Sequence, residues 1–496
     1  MPKRKKSPYP EWVLKYRKPG TEIRYIRDKY YIYEVSSVYD KQKKRARKIS
    51  GKYLGRITES EGFIPSDRVM VPKRLQLINE KTLSTKEYGL STFIQRYCNN
   101  IVEVLKIHFP DQWEWILVCL YARLVHSSPI KNISYYYNRS YLSETLNISV
   151  TPSVISKLLK DLGANRKPLV NYMKSFMGSS VALIDATSIV SYSKNLVRNH
   201  IGQTKSGTYE PLFNLLYFYQ PSTYSPAYYR LFDGNIKDVK MVQAAIEESG
   251  YDNALVIADK GFYSEENIKI LEDASLRYII PLKRNSRLID TEQFGELPRG
   301  RKKFMFAGRL IYYTSYNCAK PKGRPKKSGS KQKSIHLFID EEMMIKEKRD
   351  FYSRIQKSPQ SYTEDDFQQR MNQFGTFAVI TNLKESEETV YQYYKSRVGV
   401  EVLFDGVKNI LDNDTTYMQD NDALEGWMFI NHLALQVHHR IYDLLKTNNM
   451  LSKKSIRDFI EYLSDVRMIK VNDQWTMEPM IKEQSNLLQK LKLHIT

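Results

Sequence analysis

Cysteine is nearly missing from this chain. The three present, Cys98, Cys119 and Cys318, are too scattered to make a zinc set or a disulfide framework, and their number fits a reducing compartment. Histidine is scarce too: the eight residues, among them His200, His432 and the pair His438-His439, show no HExxH or comparable ligand spacing and are assigned to structure. Long apolar runs are also lacking. The best stretch, Trp113 to Val125, is short and carries Glu114 and Arg123, and the basic start from Met1 to Pro10 has no apolar segment. Neither membrane insertion nor secretion is expected.

The last shortage is of acid. Against 77 Lys and Arg stand 55 Asp and Glu, a formal charge of +22, and a field of that sign and size draws polyanions from solution. Nucleic acid is the default partner. More than half the excess sits in residues 1–60, which hold 18 basic and 6 acidic residues. A second block, Asn317 to Ser334, has seven basic residues and no acidic ones, and reads equally as a DNA contact or a solvated loop.

What is present is a chain of 496 residues with ordinary hydrophobic content, enough for two to four domains with real cores. Residues 1–65 read as a basic β-meander, with turns near Arg27-Asp28-Lys29 and Asp40-Lys41-Gln42. Lys43, Lys44, Arg45, Arg47 and Lys48 in and after the second turn can lie on a DNA backbone or form an ordinary charged turn. Residues 85–178 read as all-helical. Within them Thr151-Pro152-Ser153 opens a stretch resembling half of a helix-turn-helix, a pattern common in plain helical bundles, which is the favoured reading.

From Ser180 the pattern changes to strands. Val181 to Asp185 reads as a short buried strand ending in a carboxylate, and Ala254 to Ala258 as another, followed by Asp259. With Leu212 to Tyr219, Tyr228 to Phe232, intervening helices and a strand at Tyr278 to Leu282, residues 180–285 form the first part of a mixed α/β core. Residues 286–375 interrupt it as a β-rich insertion with a basic loop. The core resumes over 376–445, ending in an apolar helix, Trp427 to Leu444, and 446–496 read as short helices. No internal repeat is found.

Tyr394, Arg397, Glu401 and Lys408 follow the strand at Phe377 to Thr381. Their offsets of 0, 3, 7 and 14 put them within about 60° of one helix face. Taken alone, such a stripe is most often a solvated face with pairs such as Arg397 with Glu401. Alternatively, a carboxylate between cations and a phenol suits a phosphodiester beside a divalent metal.

Three pieces together carry a resemblance: Leu183-Ile184-Asp185-Ala186-Thr187, Ile257-Ala258-Asp259-Lys260-Gly261-Phe262, and the Tyr-x2-Arg-x3-Glu-x6-Lys spacing ending at Lys408. In these the chain resembles DDE transposases of the insertion-sequence-four type group. The resemblance implies a ribonuclease-H-like mixed-sheet catalytic core with a β-rich insertion before the catalytic Glu. It implies Asp185, Asp259 and Glu401 as a triad holding two Mg²⁺ ions, with Mn²⁺ as substitute, a choice that oxygen-only ligands also favour.

Arg397 and Lys408 would grip phosphates of the transposon end, and Tyr394 would touch the backbone beside the cut. Double-stranded DNA, as transposon ends and target, is the implied partner of a homodimer on paired ends, in a prokaryotic cytoplasm at the nucleoid. Family members hydrolyse a strand at the element's end and attack another phosphodiester with the freed 3′-OH. Some add a hairpin step secured by a Trp in the insertion. No Trp lies between Asp259 and Glu401 here; Phe304, Tyr312 or Tyr313 could stack a base in its place, but in a β insertion such residues are more often core.

Lys322-Gly323-Arg324-Pro325-Lys326 resembles an AT-hook, in which Arg324 would enter a narrow minor groove. Two further readings stay open: a catalytically silent DNA-binding protein derived from a transposase, and a nuclease that cuts without joining.

Overall fold

A computed structural model describes residues 8–40, 45–66, 84–126, 129–178, 182–204, 207–220, 225–236, 238–251, 254–258, 262–290, 302–318, 333–397, 416, 418–471 and 473–495. The chain divides into two compact units, Met1–Ser84 with Ile469–Thr476, and Thr85–Met468 with Met477–Thr496.

The first unit is an antiparallel meander of β1 (Thr21–Ile26), β2 (Lys29–Asp40), β3 (Arg45–Thr58) and β4 (Gly62–Pro65), in that spatial order. Arg27 and Asp28 both take positive φ, 49° and 58°, giving the two-residue turn whose twist matches the strands it joins. The core is small. Val13, Ile23, Ile32 and Ile57 are buried, flanked by Trp12, Tyr16, Tyr30 and Phe63. After it comes a short strand, β5 (Ser84–Glu87).

Helices from Gly89–Tyr97 through Arg166–Lys174 open the second unit. They pack around the long helix Asn421–Thr447, of which Leu424 to His439 is continuously buried. Helix Pro152–Ala164, the half helix-turn-helix of the sequence, turns Ile155, Leu158, Leu159 and Leu162 inward, and Thr151 caps it. It lies so close to the long helix that a Cβ at Gly163 or Gly426 would collide with the opposing backbone at Asp422 or Leu159. Two glycines set that approach.

The rest of this unit is a ten-stranded mixed sheet. Its strands are β6 (Ala182–Val190), β7 (His200–Gln203), β8 (Tyr209–Gln220), β9 (Ser225–Asp233), β10 (Ala254–Ile257), β11 (Arg277–Pro281), β12 (Lys303–Phe306), β13 (Arg309–Asn317), β14 (Ser334–Asp340) and β15 (Thr376–Thr381). The order is β12-β13-β14-β15-β11-β10-β6-β8-β7, with β9 also on β8. Only β10 runs parallel to its neighbours, β6 and β11. Helices Asp238–Ser249 and Glu265–Asp273 make the crossovers into and out of β10, and Ser264 caps the second by accepting from Asn267 N–H at 3.0 Å. Strands β8, β10, β11 and β14 are buried nearly throughout, so they read as unbroken apolar runs rather than alternating ones.

Two stretches differ from the sequence expectation. The 286–375 segment holds, besides β-strands, helices Glu341–Lys357 and Glu364–Arg370, whose charge-rich sequences bury little more than Phe351 and so show weak periodicity. Its strands β12 to β14 continue the central sheet through the β14–β15 pairing. The 446–496 stretch contains β16 (Arg467–Val471) and β17 (Gln474–Met477) between helices Ile456–Ser464 and Lys482–Lys490. No described helix is long and apolar enough to cross a membrane.

A buried polar network ties the helices to the sheet. Arg166 donates to both Glu248 oxygens at 3.0 Å and to the Tyr229 carbonyl at 2.7 Å, and pairs with Glu425 on the long helix. Burial opposes the charge on Glu248, but the hydrogen bond and charge of Arg166 hold its carboxyl below the usual range.

Candidate active site

The site begins at the β6–β10 pairing. Parallel rungs join Ala182 to Ala254, Leu183 to Leu255 and Ile184 to Val256, and the next residue on β6 is Asp185. The expected strand end is corrected here. β6 continues to Val190, because Asp185 to Val190 pair with Tyr217 to Leu212 of β8. The run of buried residues ends at Ile184 while the hydrogen-bonded strand does not, which is why the sequence pattern stopped early. Asp185 thus sits beside the carboxyl end of β10, the position where ligands bind in open α/β sheets.

Its side chain is 22% exposed, and Oδ1 accepts from Ala186 N–H at 2.9 Å. Arg397 places Nη2 3.7 Å from Asp185 Oδ2, with its own side chain 15% exposed. These two motif residues, far apart in sequence, meet in the fold. Thr187, on the same strand face as Asp185, is 5% exposed, and its hydroxyl has no hydrogen-bond partner among the described residues.

Arg397 is held by the helix before it, Glu387–Lys395, which Ser386 caps by accepting from Thr389 N–H at 3.2 Å. That helix buries Val390 and Tyr391 against the sheet, with Tyr391 packed on Phe304, Phe338 and Phe377 at ring distances of 5.3, 5.0 and 5.9 Å. Tyr394 lies over Phe377 at 4.5 Å, so its ring serves packing, whatever its hydroxyl does. Phe304 and Tyr313 pack on each other at 5.6 Å within the same aromatic layer, and Tyr312 is half-buried.

Asp259, Glu401 and Lys408 lie outside the described residues, as do Lys43, Lys44 and Arg324. In sequence, Asp259 comes two positions after the end of β10, the strand that runs beside Asp185. Arg45, Arg47 and Lys48 are exposed on β3 of the first unit. Among the described residues no group of three or more His, Cys, Asp or Glu is placed to hold a metal. Of the carboxylates that the sequence puts forward, Asp185 alone is described. Its half-exposed, oxygen-only character fits a hard divalent ion, and Arg397 balances its charge in this structure.

The histidines are accounted for by packing. His432 lies between Tyr217 and Tyr229 at ring distances of 5.8 and 5.3 Å, and burial pushes it and His438 down to about 3, so both are neutral. A cavity of about 630 Å³, lined by Lys86, Glu87, Tyr121, Arg139, Arg457 and Arg467 among others, belongs to the helical part. Burial lifts Glu87 there to about 7. Lys86, Arg457 and Arg467 already pair with Glu144, Glu461 and Asp465.

A central mixed sheet carries a partly exposed carboxylate at the β6–β10 pairing, with a guanidinium beside it. Residues 177–437, more than half of the chain, match the family described as the transposase DDE domain, and the chain belongs to that family. Membership implies dependence on a divalent metal. A cryo-EM structure of the piggyBac transposase synaptic complex with hairpin DNA is similar at 10% identity and a TM-score of 0.39, covering 76% of this chain and 79% of that one. Likeness at that level transfers nothing to this chain. No curated protein matches it.

Proposed function

We propose that the protein is a DNA transposase of the insertion-sequence-four type, cleaving the ends of its element and joining them to target DNA. The observation that supports this reading is the Arg397–Asp185 contact at 3.7 Å, one residue of the third motif beside one of the first, in a chain of the DDE family. Asp185, Asp259 and Glu401 would hold two Mg²⁺ ions, which when bound supply charge stabilisation at the attacking and leaving oxygens.

The chain's own residues do the rest. With Asp185 among the metal's ligands, the planar fork of Arg397 would grip a phosphate, and Lys408 would add a point charge. Tyr394, fixed on Phe377, presents its hydroxyl to the DNA backbone beside the cut. Lys43, Lys44, Arg45, Arg47, Lys48 and Arg324 add contacts to DNA away from the chemistry. The catalytic residues lie in a ribonuclease-H-like core, 180–285 and 376–445, with 286–375 as its insertion, and a dimer pairs the two ends.

The test is cleavage of duplex DNA bearing the element's ends with Mg²⁺ present. Glu401→Gln is expected to lower the rate by a thousandfold or more, on the order of 4 kcal/mol of transition-state stabilisation, while still binding the DNA. Wild-type rates from that variant would remove Glu401 from the triad.

A further inference from the structure

The meander of the first unit has an unusual extension. β1 pairs with β2 only from Lys29 to Glu34, and β4 pairs with β3 only from Gly55 to Thr58. Beyond these, and beyond Val35, whose N–H donates to the Gly20 carbonyl at 2.7 Å, Ser36–Asp40 and Arg45–Ile49 pair with each other alone among the described residues, as a two-stranded ribbon five residues long, roughly 17 Å at strand rise. The ladder shifts register between Ile32 and Val35, where the ribbon leaves the sheet, and such shifts bend and twist a strand pair. At this bend sits Gly51. A Cβ there would meet Glu34 Cβ at 2.8 Å.

No residue of the ribbon joins the core of its unit. Residues 45–50 are all exposed, and Val38, Tyr39 and Ile49 are 56, 63 and 43% exposed. Folding does not require apolar side chains there. The register sorts them by face: Asp40 with Arg45, Val38 with Arg47 and Ser36 with Ile49 on one side, Tyr39 with Ala46 and Ser37 with Lys48 on the other. Lys48 is engaged at the base with Glu22. The rung of Arg47 holds no carboxylate. Over 35–50 the sequence has six Lys or Arg and one Asp, so the ribbon is complementary to a polyanion.

We propose that this ribbon enters the major groove of duplex DNA with its Arg45, Arg47, Val38 and Ile49 face toward the base edges, as the sequence-reading element of the protein. The proposal rests on the DNA-processing function above and deepens it from backbone contact to base readout. A major groove about 12 Å wide admits a two-stranded ribbon, guanidinium forks match guanine O6 and N7, and small apolar side chains match the thymine methyl.

The experiment is selection of duplexes from a random-sequence library by the full chain, with EDTA present so that cleavage plays no part. Wild type is expected to enrich a motif containing guanine. Arg47→Ala should lose about tenfold in preference for it over scrambled DNA, and N7-methylation of the contacted guanine should weaken wild type but not the variant. Absence of any enriched motif overturns the proposal. So does a variant that binds both DNAs equally more weakly and shows no methylation effect, because Arg47 would then touch phosphate only. Failure of Glu401→Gln to slow cleavage would overturn the catalytic reading and leave this one standing.

Discussion

The packing of Tyr394 can be separated from the DNA contact proposed for it. Its ring lies 4.5 Å from that of Phe377, and aromatic pairs of this kind add about 0.5–1.5 kcal/mol beyond their area. Tyr394→Ala should therefore destabilise the protein by roughly 1–3 kcal/mol in urea denaturation, because the ring is only partly buried. Tyr394→Phe keeps the ring and should leave stability within about 0.5 kcal/mol. The hydroxyl's share in end processing is then read from the Phe variant alone. Processing at wild-type rates in Tyr394→Phe would restrict this residue to packing. Arg397 differs, since its guanidinium lies 3.7 Å from the Asp185 carboxylate.

Among the elements, the long helix Asn421–Thr447 concentrates the most unusual choices. It places His432 and His438 where burial holds both neutral, down to about 3. In the unfolded chain they titrate near 6.5, so below that value the unfolded state binds protons that the folded state refuses. Stability should fall as pH drops from about 6.5 toward 3, by roughly 1 kcal/mol per pH unit for each histidine. Denaturation midpoints at pH 7 and pH 5 measure the slope. His432→Leu should flatten it, and an unchanged slope would show that other groups set the acid limit. Helix Glu387–Lys395 is the complementary case, an ordinary capped helix whose value lies in where its aromatic face fixes the residue that follows.

For the whole molecule, the charge of +22 governs association. Binding that neutralises several phosphates releases their counterions, so raising salt from about 50 to about 200 mM should weaken duplex binding on the order of a thousandfold. Fluorescence anisotropy over a salt series tests this. A slope below about two phosphates would mean that the excess charge serves solubility alone. The small-cored basic meander and the large mixed sheet fall in separate compact units.

Much of this was legible in the residues. Apolar runs announced the buried strands β8, β10 and β11, Ser264 announced a cap, and Asp185 and Arg397 stood out by motif. Those signals are local, resting on backbone propensity and burial within a few positions. What only the tertiary structure decided is non-local. That β6 runs past Asp185 depends on β8 lying beside it, and that Arg397 reaches this carboxylate depends on Tyr391 and Tyr394 seating their helix on Phe377. The network of Arg166, Glu248 and Glu425 has no sequence pattern at all, since its members meet only when helix and sheet pack. Likewise a basic segment was visible in the sequence, but the extension of its flanking strands as a two-stranded ribbon follows from where β1 and β4 stop pairing.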